Sequence, residues 1–278
     1  MTQQEYDVVV VGSGAAGMVA ALTAAHQGLS TVVVEKAPHY GGSTARSGGG
    51  VWIPNNEVLQ RDGVKDTPEA ARTYLHAIIG DVVPAEKIDT YLERGPEMLS
   101  FVLKNSPLKL CWVPGYSDYY PETPGGKPSG RSVEPKPFNA RKLGPDEKGL
   151  EPPYGKVPLN MVVMQQDYVR LNQLKRHPRG LLRSVKVGVR SVWANATRKN
   201  LVGMGRALIA PLRIGLQKAG VPVLLNTALT DLYVEDGAVK GIYVRDMTGP
   251  ESAEPQLIRA RRGVILGSGG FEHNEQMR

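Results

Sequence analysis

Gly12, Gly14 and Gly17 follow the spacing G-x-G-x-x-G, directly after the apolar run Asp7-Val-Val-Val-Val-Gly12 and at the head of an alanine-rich stretch, Ala15 to Ala25. The run reads as a buried parallel strand and the stretch as the helix that follows it. Such a turn needs glycine where the chain bends (Gly12), where backbone N–H groups approach a pyrophosphate (Gly14) and where helix meets strand (Gly17). The N–H groups of the first helical residues, Ala15 and Ala16, then face the anion. A second apolar strand, Thr31-Val-Val-Val34, ends in Glu35. Glu35 lies about twenty residues beyond the glycines, where a carboxylate accepts hydrogen bonds from a ribose. Strand, glycines, helix, strand and acid in that order point to a dinucleotide.

A further glycine-rich element follows at once, Tyr40-Gly-Gly-Ser-Thr-Ala-Arg-Ser-Gly-Gly-Gly50. One pyrophosphate does not need two such loops. A flavin would use the second, with the bare backbone of Gly42, Gly48 and Gly49 and the hydroxyls of Ser43, Thr44 and Ser47 lying against the rest of the pyrophosphate and the isoalloxazine edge. The bland alternative is a glycine-serine linker. Lys36, Ala228, Ser268 and Gly269 complete the expected FAD contacts. His39 precedes the loop and raises covalent flavin attachment, but the residues inside the loop are Ser43 and Thr44, so FAD is expected to be noncovalent.

The remaining elements frame these loops. A helical stretch from Thr67 to Leu103 breaks near Gly80 to Pro84, with Thr67-Pro68-Glu69 as cap and first turn. Residues 105–158 are crowded with Pro, Gly and charge and read as one long loop insertion. A helix over Gly203 to Gly220 carries Pro211. Strands follow at Val221 to Leu225, Leu229 to Val234 and Val239 to Asp246, the last two joined by the turn Glu235-Asp236-Gly237. The apolar run from Gly263 returns beside the first strand. The fold class is thus α/β: a Rossmann-like FAD-binding domain over residues 1–278, with a parallel central sheet and an added β-meander.

The chain has 278 residues and a net charge of +7, yet its basic residues are spread except for a cluster from Lys175 to Arg190. That cluster reads as a solvated face or a patch for something acidic; neither aromatic interleaving nor a nucleic-acid module accompanies it. Cys111 is the sole cysteine, which excludes an internal disulfide, suits a reducing compartment and reads as a buried hydrophobe. No pair of histidines has metal-ligand spacing. No apolar stretch reaches spanning length and no leader precedes the first strand, so a cytoplasmic protein able to touch a membrane surface is expected.

The chain resembles the flavoproteins of the fumarate reductase family and, more closely, the 3-ketosteroid Δ1-dehydrogenases. The resemblance rests on Gly41-Gly-Ser-Thr-Ala-Arg-Ser-Gly-Gly-Gly50 leading to Val51-Trp-Ile-Pro54, on Tyr116-Ser-Asp-Tyr-Tyr-Pro121, on Gly130-Arg-Ser-Val-Glu-Pro135 and on Gly269-Gly-Phe-Glu-His-Asn274. It implies 1,2-dehydrogenation of a steroid A ring: a proton leaves C2, hydride passes from C1 to flavin N5, and a quinone is a candidate final acceptor. Polarising the C3 carbonyl makes the C2 proton more acidic, and fixed donors stabilise the enolate. The resemblance makes Tyr119 the tyrosine that assists the base and Tyr116 a substrate contact. It also implies a principal base, a substrate domain and a second FAD-binding stretch beyond residue 278, so that the 278-residue chain would be an inactive half. Two other readings stand beside it: a fumarate reductase-like enzyme acting on a small dicarboxylate, and a nucleotide-binding fragment without catalysis.

Overall fold

The computed structural model describes residues 4–153, 155, 161–171, 178–250, 252, 254–271 and 275–277. In chain order these form β1 (Gln4–Val11), α1 (Ala15–His26), β2 (Thr31–Val34), α2 (Gly42–Arg46), β3 (Val51–Trp52), α3 (Glu57–Arg61), α4 (Pro68–Ile79), α5 (Ala85–Asn105), β4 (Leu110–Trp112), β5 (Ser132–Pro135) and β6 (Phe138–Asn139). Then come a 3-10 segment (Ala140–Gly149), α6 (Gln165–Leu171), α7 (Pro178–Ala196), β7 (Leu201–Val202), α8 (Met204–Lys218), β8 (Val223–Leu224), β9 (Thr227–Glu235), β10 (Ala238–Asp246) and β11 (Gln256–Leu266). The chain divides into two compact units, one of residues 1–46, 140–155 and 208–278, the other of residues 47–139 and 156–207.

The first unit is built on a six-stranded sheet in the order β8-β2-β1-β11-β10-β9. β1 runs parallel to both β2 and β11, and β2 parallel to β8, whereas β9 and β10 pair antiparallel as the expected meander. The valines explain the central position of β1: Val9 and Val10 are fully buried, and Val9 and Val11 pack with Val32, Val34, Ile242 and Ile258. Helix α1 lies on β1 and β2 through Met18, Ala21 and Leu22, all fully buried. Asp236 and Gly237, with φ of 52° and 73°, make the two-residue turn between β9 and β10.

In the second unit α4 and α5 are two helices separated at 80–84, as the sequence suggests. Thr67 caps α4 by accepting the Ala70 N–H at 3.1 Å. The reading of residues 105–158 as one long loop requires correction. This stretch contains β4 and β5, which join β3 in an antiparallel three-stranded sheet, and β6, which pairs with β7. These strands are two to four residues long, too short for a period-2 pattern to show among the prolines and glycines. Cys111, expected to be buried, is half-buried on β4.

Candidate functional site

In the first unit the turn after β1 has the geometry its glycines suggest. Gly12 adopts φ of 98°, and a Cβ there would lie 2.4 Å from the Gly267 carbonyl oxygen. A Cβ on Gly17 would lie 2.0 Å from the Gly12 oxygen. Gly14 differs: it caps α1 with φ of −67°, and a Cβ there would meet only Thr44 Oγ1, at 3.6 Å. Gly12 and Gly17 are thus required by the fold, while Gly14 keeps a space open at the helix N-terminus. Helix α1 has no acidic residue in its first turn, and the first N–H groups of any helix lack partners within it. The Ala15 N–H donates to Thr44 Oγ1 at 3.2 Å, which brings the second glycine loop to the same helix end. An anion fits this cradle by charge and by room.

Glu35 closes the other side. Its Oε2 accepts from the Ser13 N–H (3.0 Å) and the Ser13 hydroxyl (2.6 Å), and its Oε1 from the Ala37 N–H (3.0 Å). A carboxylate offers about four acceptor positions, so one remains for a ribose hydroxyl. The fully buried Ser13 also accepts the Gly41 N–H at 3.1 Å and so ties both glycine loops to Glu35. Ser13 escaped the sequence reading because its position inside the fingerprint carries no side-chain requirement; only the alignment of β1 with β2 gives it a role.

The other expected cofactor residues sort by unit. Ala228 belongs to a strand start laid beside Glu35, where the Thr227 N–H donates to the Glu35 carbonyl and the Asn226 N–H to that of Ala37. Ser268 and Gly269 follow Gly267, whose N–H donates to the Val11 carbonyl beside Gly12. Ala16, Lys36 and Ser43 are exposed and Gly42 half-buried. Ser47, Gly48 and Gly49 belong to the second unit, where Gly49 lies against the backbone of Met204 and Gly205. Of the motif Gly269 to Asn274, the last three residues lie outside the described residues.

The second unit holds a cavity of about 570 Å³, within the usual range for small-molecule sites, about 300–1,000 Å³. Its walls are Ser47 to Gly50, the apolar group Trp52, Tyr74, Leu75 and Ile78, the segment Tyr116 to Tyr119, and Ser132 with Gln165. Tyr116 is half-buried, while Tyr119 is 87% exposed at the wall. Among the described residues that line it none is cationic.

A buried ionic network supports this wall, and the sequence reading missed it. Arg131 is fully buried. Its Nε and Nη2 grip Asp66 at 2.6 and 3.0 Å, its Nη1 meets Asp118 at 2.7 Å, and Nη2 also donates to the Gly125 carbonyl at 2.8 Å. The guanidinium lies 5.9 Å from the ring centre of Trp52 and 5.5 Å from that of Tyr74. Asp118 in turn accepts the Trp52 indole N–H at 2.8 Å, and the Tyr74 hydroxyl accepts the Tyr120 N–H at 3.2 Å. Deeper in, the buried Glu134 accepts the N–H groups of Gln165 (2.6 Å) and Gln166 (3.2 Å), which places Gln165 at the cavity. Burial pushes the Glu134 carboxyl above its ordinary range.

Comparison with known proteins bears on both units. A family model described as "FAD binding domain" matches residues 7–278. The chain belongs to that family. This FAD-binding domain is 88% identical, over all 278 residues, to a 3-oxosteroid 1-dehydrogenase of Mycolicibacterium smegmatis and 82% identical to one of Mycobacterium tuberculosis. It covers 49% of each, so it spans about half the length of the curated relatives it matches. Among solved structures it resembles a 3-ketosteroid delta1-dehydrogenase from Sterolibacterium denitrificans in complex with 1,4-androstadiene-3,17-dione. The TM-score is 0.89 at 38% identity, over 99% of this chain and 50% of that one.

Proposed function

We propose that this FAD-binding domain serves a flavoenzyme that dehydrogenates 3-ketosteroids between C1 and C2. What carries the reading is the cavity in the second unit: apolar walls from Trp52, Tyr74, Leu75 and Ile78, with the phenol groups of Tyr116 and Tyr119 on one segment. That lining suits a rigid apolar ring system bearing a carbonyl. A small dicarboxylate would want converging cations, and none lines this cavity among the described residues.

When bound, FAD supplies the hydride acceptor. This chain's own residues supply part of what else is needed. The open space at Gly14 and the first N–H groups of α1 hold a pyrophosphate, and Glu35, braced by Ser13, takes a ribose hydroxyl. Tyr116 and Trp52 orient the steroid, and Tyr119 assists the base that takes the C2 proton by relaying it through its hydroxyl. FAD is held without a covalent bond; a quinone takes up the electrons, and the protein works in the cytoplasm.

The test is the reduction of bound flavin by a 3-keto-4-ene steroid, in a polypeptide of the relatives' full length. Anaerobic mixing bleaches the flavin's visible band, and deuterium at C1 slows the bleaching. A band unchanged by the steroid, but restored by fumarate after chemical reduction has bleached it, would replace this reading with the dicarboxylate one. Acid precipitation releases all the flavin into the supernatant; colour retained in the pellet would refute noncovalent binding.

A further inference from the structure

Tyr119 sits in a closed loop of the second unit. The Asp118 N–H donates to the Lys127 carbonyl at 3.0 Å and the Lys127 N–H returns to Asp118 Oδ2 at 3.0 Å, so residues 119–126 leave and rejoin the chain at one point. Inside the loop the Thr123 N–H donates to the Tyr120 carbonyl and the Gly126 N–H to that of Thr123. The Tyr119 phenol stands at the cavity wall and is largely exposed, so packing of the ring does little to aim it. Its direction is set by the backbone beneath it.

Both chain neighbours of Tyr119 are pinned. On one side the buried Asp118 carboxylate is held by Arg131 at 2.7 Å and by the Trp52 indole N–H at 2.8 Å. On the other, the Tyr120 N–H donates to the Tyr74 hydroxyl at 3.2 Å. Tyr74 is a firm post: it is buried on α4, packs with Leu75 and Ile88, and its ring centre lies 6.0 Å from that of Trp52. The loop also meets α4 at the turn before Tyr74, where a Cβ on Gly125 would lie 2.3 Å from the Ala70 carbonyl oxygen. The Tyr74 ring packs without help from its hydroxyl. Among the described residues, the bond to the Tyr120 N–H is what that oxygen does.

A proton moves between groups only at hydrogen-bond distance, and a misplacement of about 1 Å can cost about 100-fold in rate. We propose, on the reading that Tyr119 assists the base, that Tyr74 is a positioning residue for the proton transfer. Its hydroxyl holds the Tyr120 backbone and so keeps the Tyr119 phenol within reach of the base. Asp118 holds the other neighbour.

Flavin reduction by a 3-keto-4-ene steroid, in the FAD-loaded protein of the relatives' full length, tests this through a double-mutant cycle. Tyr74→Phe removes one oxygen atom and keeps the ring. It lowers the rate constant for reduction about 10- to 100-fold, with thermal midpoint and flavin content as in the wild type. Deuterium at C2 slows reduction more in Tyr74→Phe than in the wild type, because proton removal has become the slower step. In a Tyr119→Phe background the same change has less than about a twofold effect, since no hydroxyl is left to aim. Asp118→Asn, which weakens the hold on the other neighbour, shows the same dependence on Tyr119. The proposal is overturned if Tyr74→Phe slows reduction equally in both backgrounds or leaves the wild-type rate unchanged. It is also overturned if Tyr74→Phe melts early or loses flavin, because the hydroxyl then serves the fold. Wild-type reduction by Tyr119→Phe alone would instead remove the role of Tyr119, and this inference with it.

Discussion

Arg131 Nη1 lies 2.7 Å from Asp118 Oδ2, while Asp118 Oδ1 holds the Trp52 indole N–H at 2.8 Å, so one buried carboxylate joins a buried guanidinium to the cavity wall. The same guanidinium grips Asp66, and removing it leaves Asp66 with the Lys127 ammonium at 3.8 Å and Asp118 with the N–H groups of Trp52 and Lys127, two buried carboxylates without their close cation. Arg131→Met should destabilise the protein by about 3–5 kcal/mol, the range for breaking a buried ion pair from one side. Arg131→Lys rescues only part, because an ammonium cannot reproduce the two-pronged contact with Asp66. Urea unfolding measures both, and a loss below about 1 kcal/mol for the methionine variant would remove Arg131 from this role.

Gly14 and Gly17 are two glycines of one fingerprint with different tasks. Gly14→Ala places a methyl group in open space at an ordinary φ, so stability should change by no more than about 0.5 kcal/mol. FAD affinity should fall at least about tenfold as the approach of a phosphate to charge-assisted N–H donors is blocked. Gly17→Ala, which drives a methyl group into the Gly12 carbonyl, should lose about 3 kcal/mol or more of stability. Flavin titration beside thermal melting separates the two, and equal melting losses would contradict the distinction.

Tyr119 is 87% exposed, so Tyr119→Phe should leave the melting temperature where it is. In a chain of the relatives' full length, turnover on a 3-keto-4-ene steroid should drop about 10²–10⁴-fold, as for the loss of a general acid–base group. Turnover within a factor of two of wild type would show that the Tyr119 hydroxyl handles no proton.

The Asp167 carboxyl gives a dependence on pH. Burial alone would raise it, but hydrogen bonds from Arg190 and the Met164 N–H, with the charges of Arg190 and Arg183, more than offset burial and hold it below its ordinary value of 3.8. Below that value the unfolded chain binds the proton first. Stability is therefore present above the ordinary value and lost as pH falls through the folded one. Asp167→Asn should lose about 3–5 kcal/mol near neutrality, and its deficit against wild type should shrink below about pH 4. A deficit constant from pH 3 to pH 7 would contradict the ionic account.

The parts of the site made by local rules could be read from the sequence. The glycine fingerprint, the valine strands, the Thr67 cap and the Asp236-Gly237 turn each rest on residues a few positions apart. The parts made by distant alignment could not. Ser13 matters because β1 and β2 run side by side and bring Glu35 to it. The Arg131 network joins Asp66, Asp118 and Trp52, which share no spacing, and the 3-ketosteroid resemblance flagged the motif around Arg131 without indicating that its side chain is buried. Strands β3 to β7 are too short to show a pattern.

The parallel pairing of β1 with β11 sets Gln4 beside Ile258 and Val11 beside Leu266. During synthesis β1 can pair with β2 soon after both emerge, but its other edge must wait for β11, a strand made about 250 residues later. At roughly 5–20 residues per second that wait is on the order of ten seconds or more. A valine-rich backbone edge open for that long is a template for another nascent chain. The separation of these two strands thus makes yield on the ribosome depend on chaperone cover and translation speed, and slowing translation between β2 and β11 would prolong the hazard.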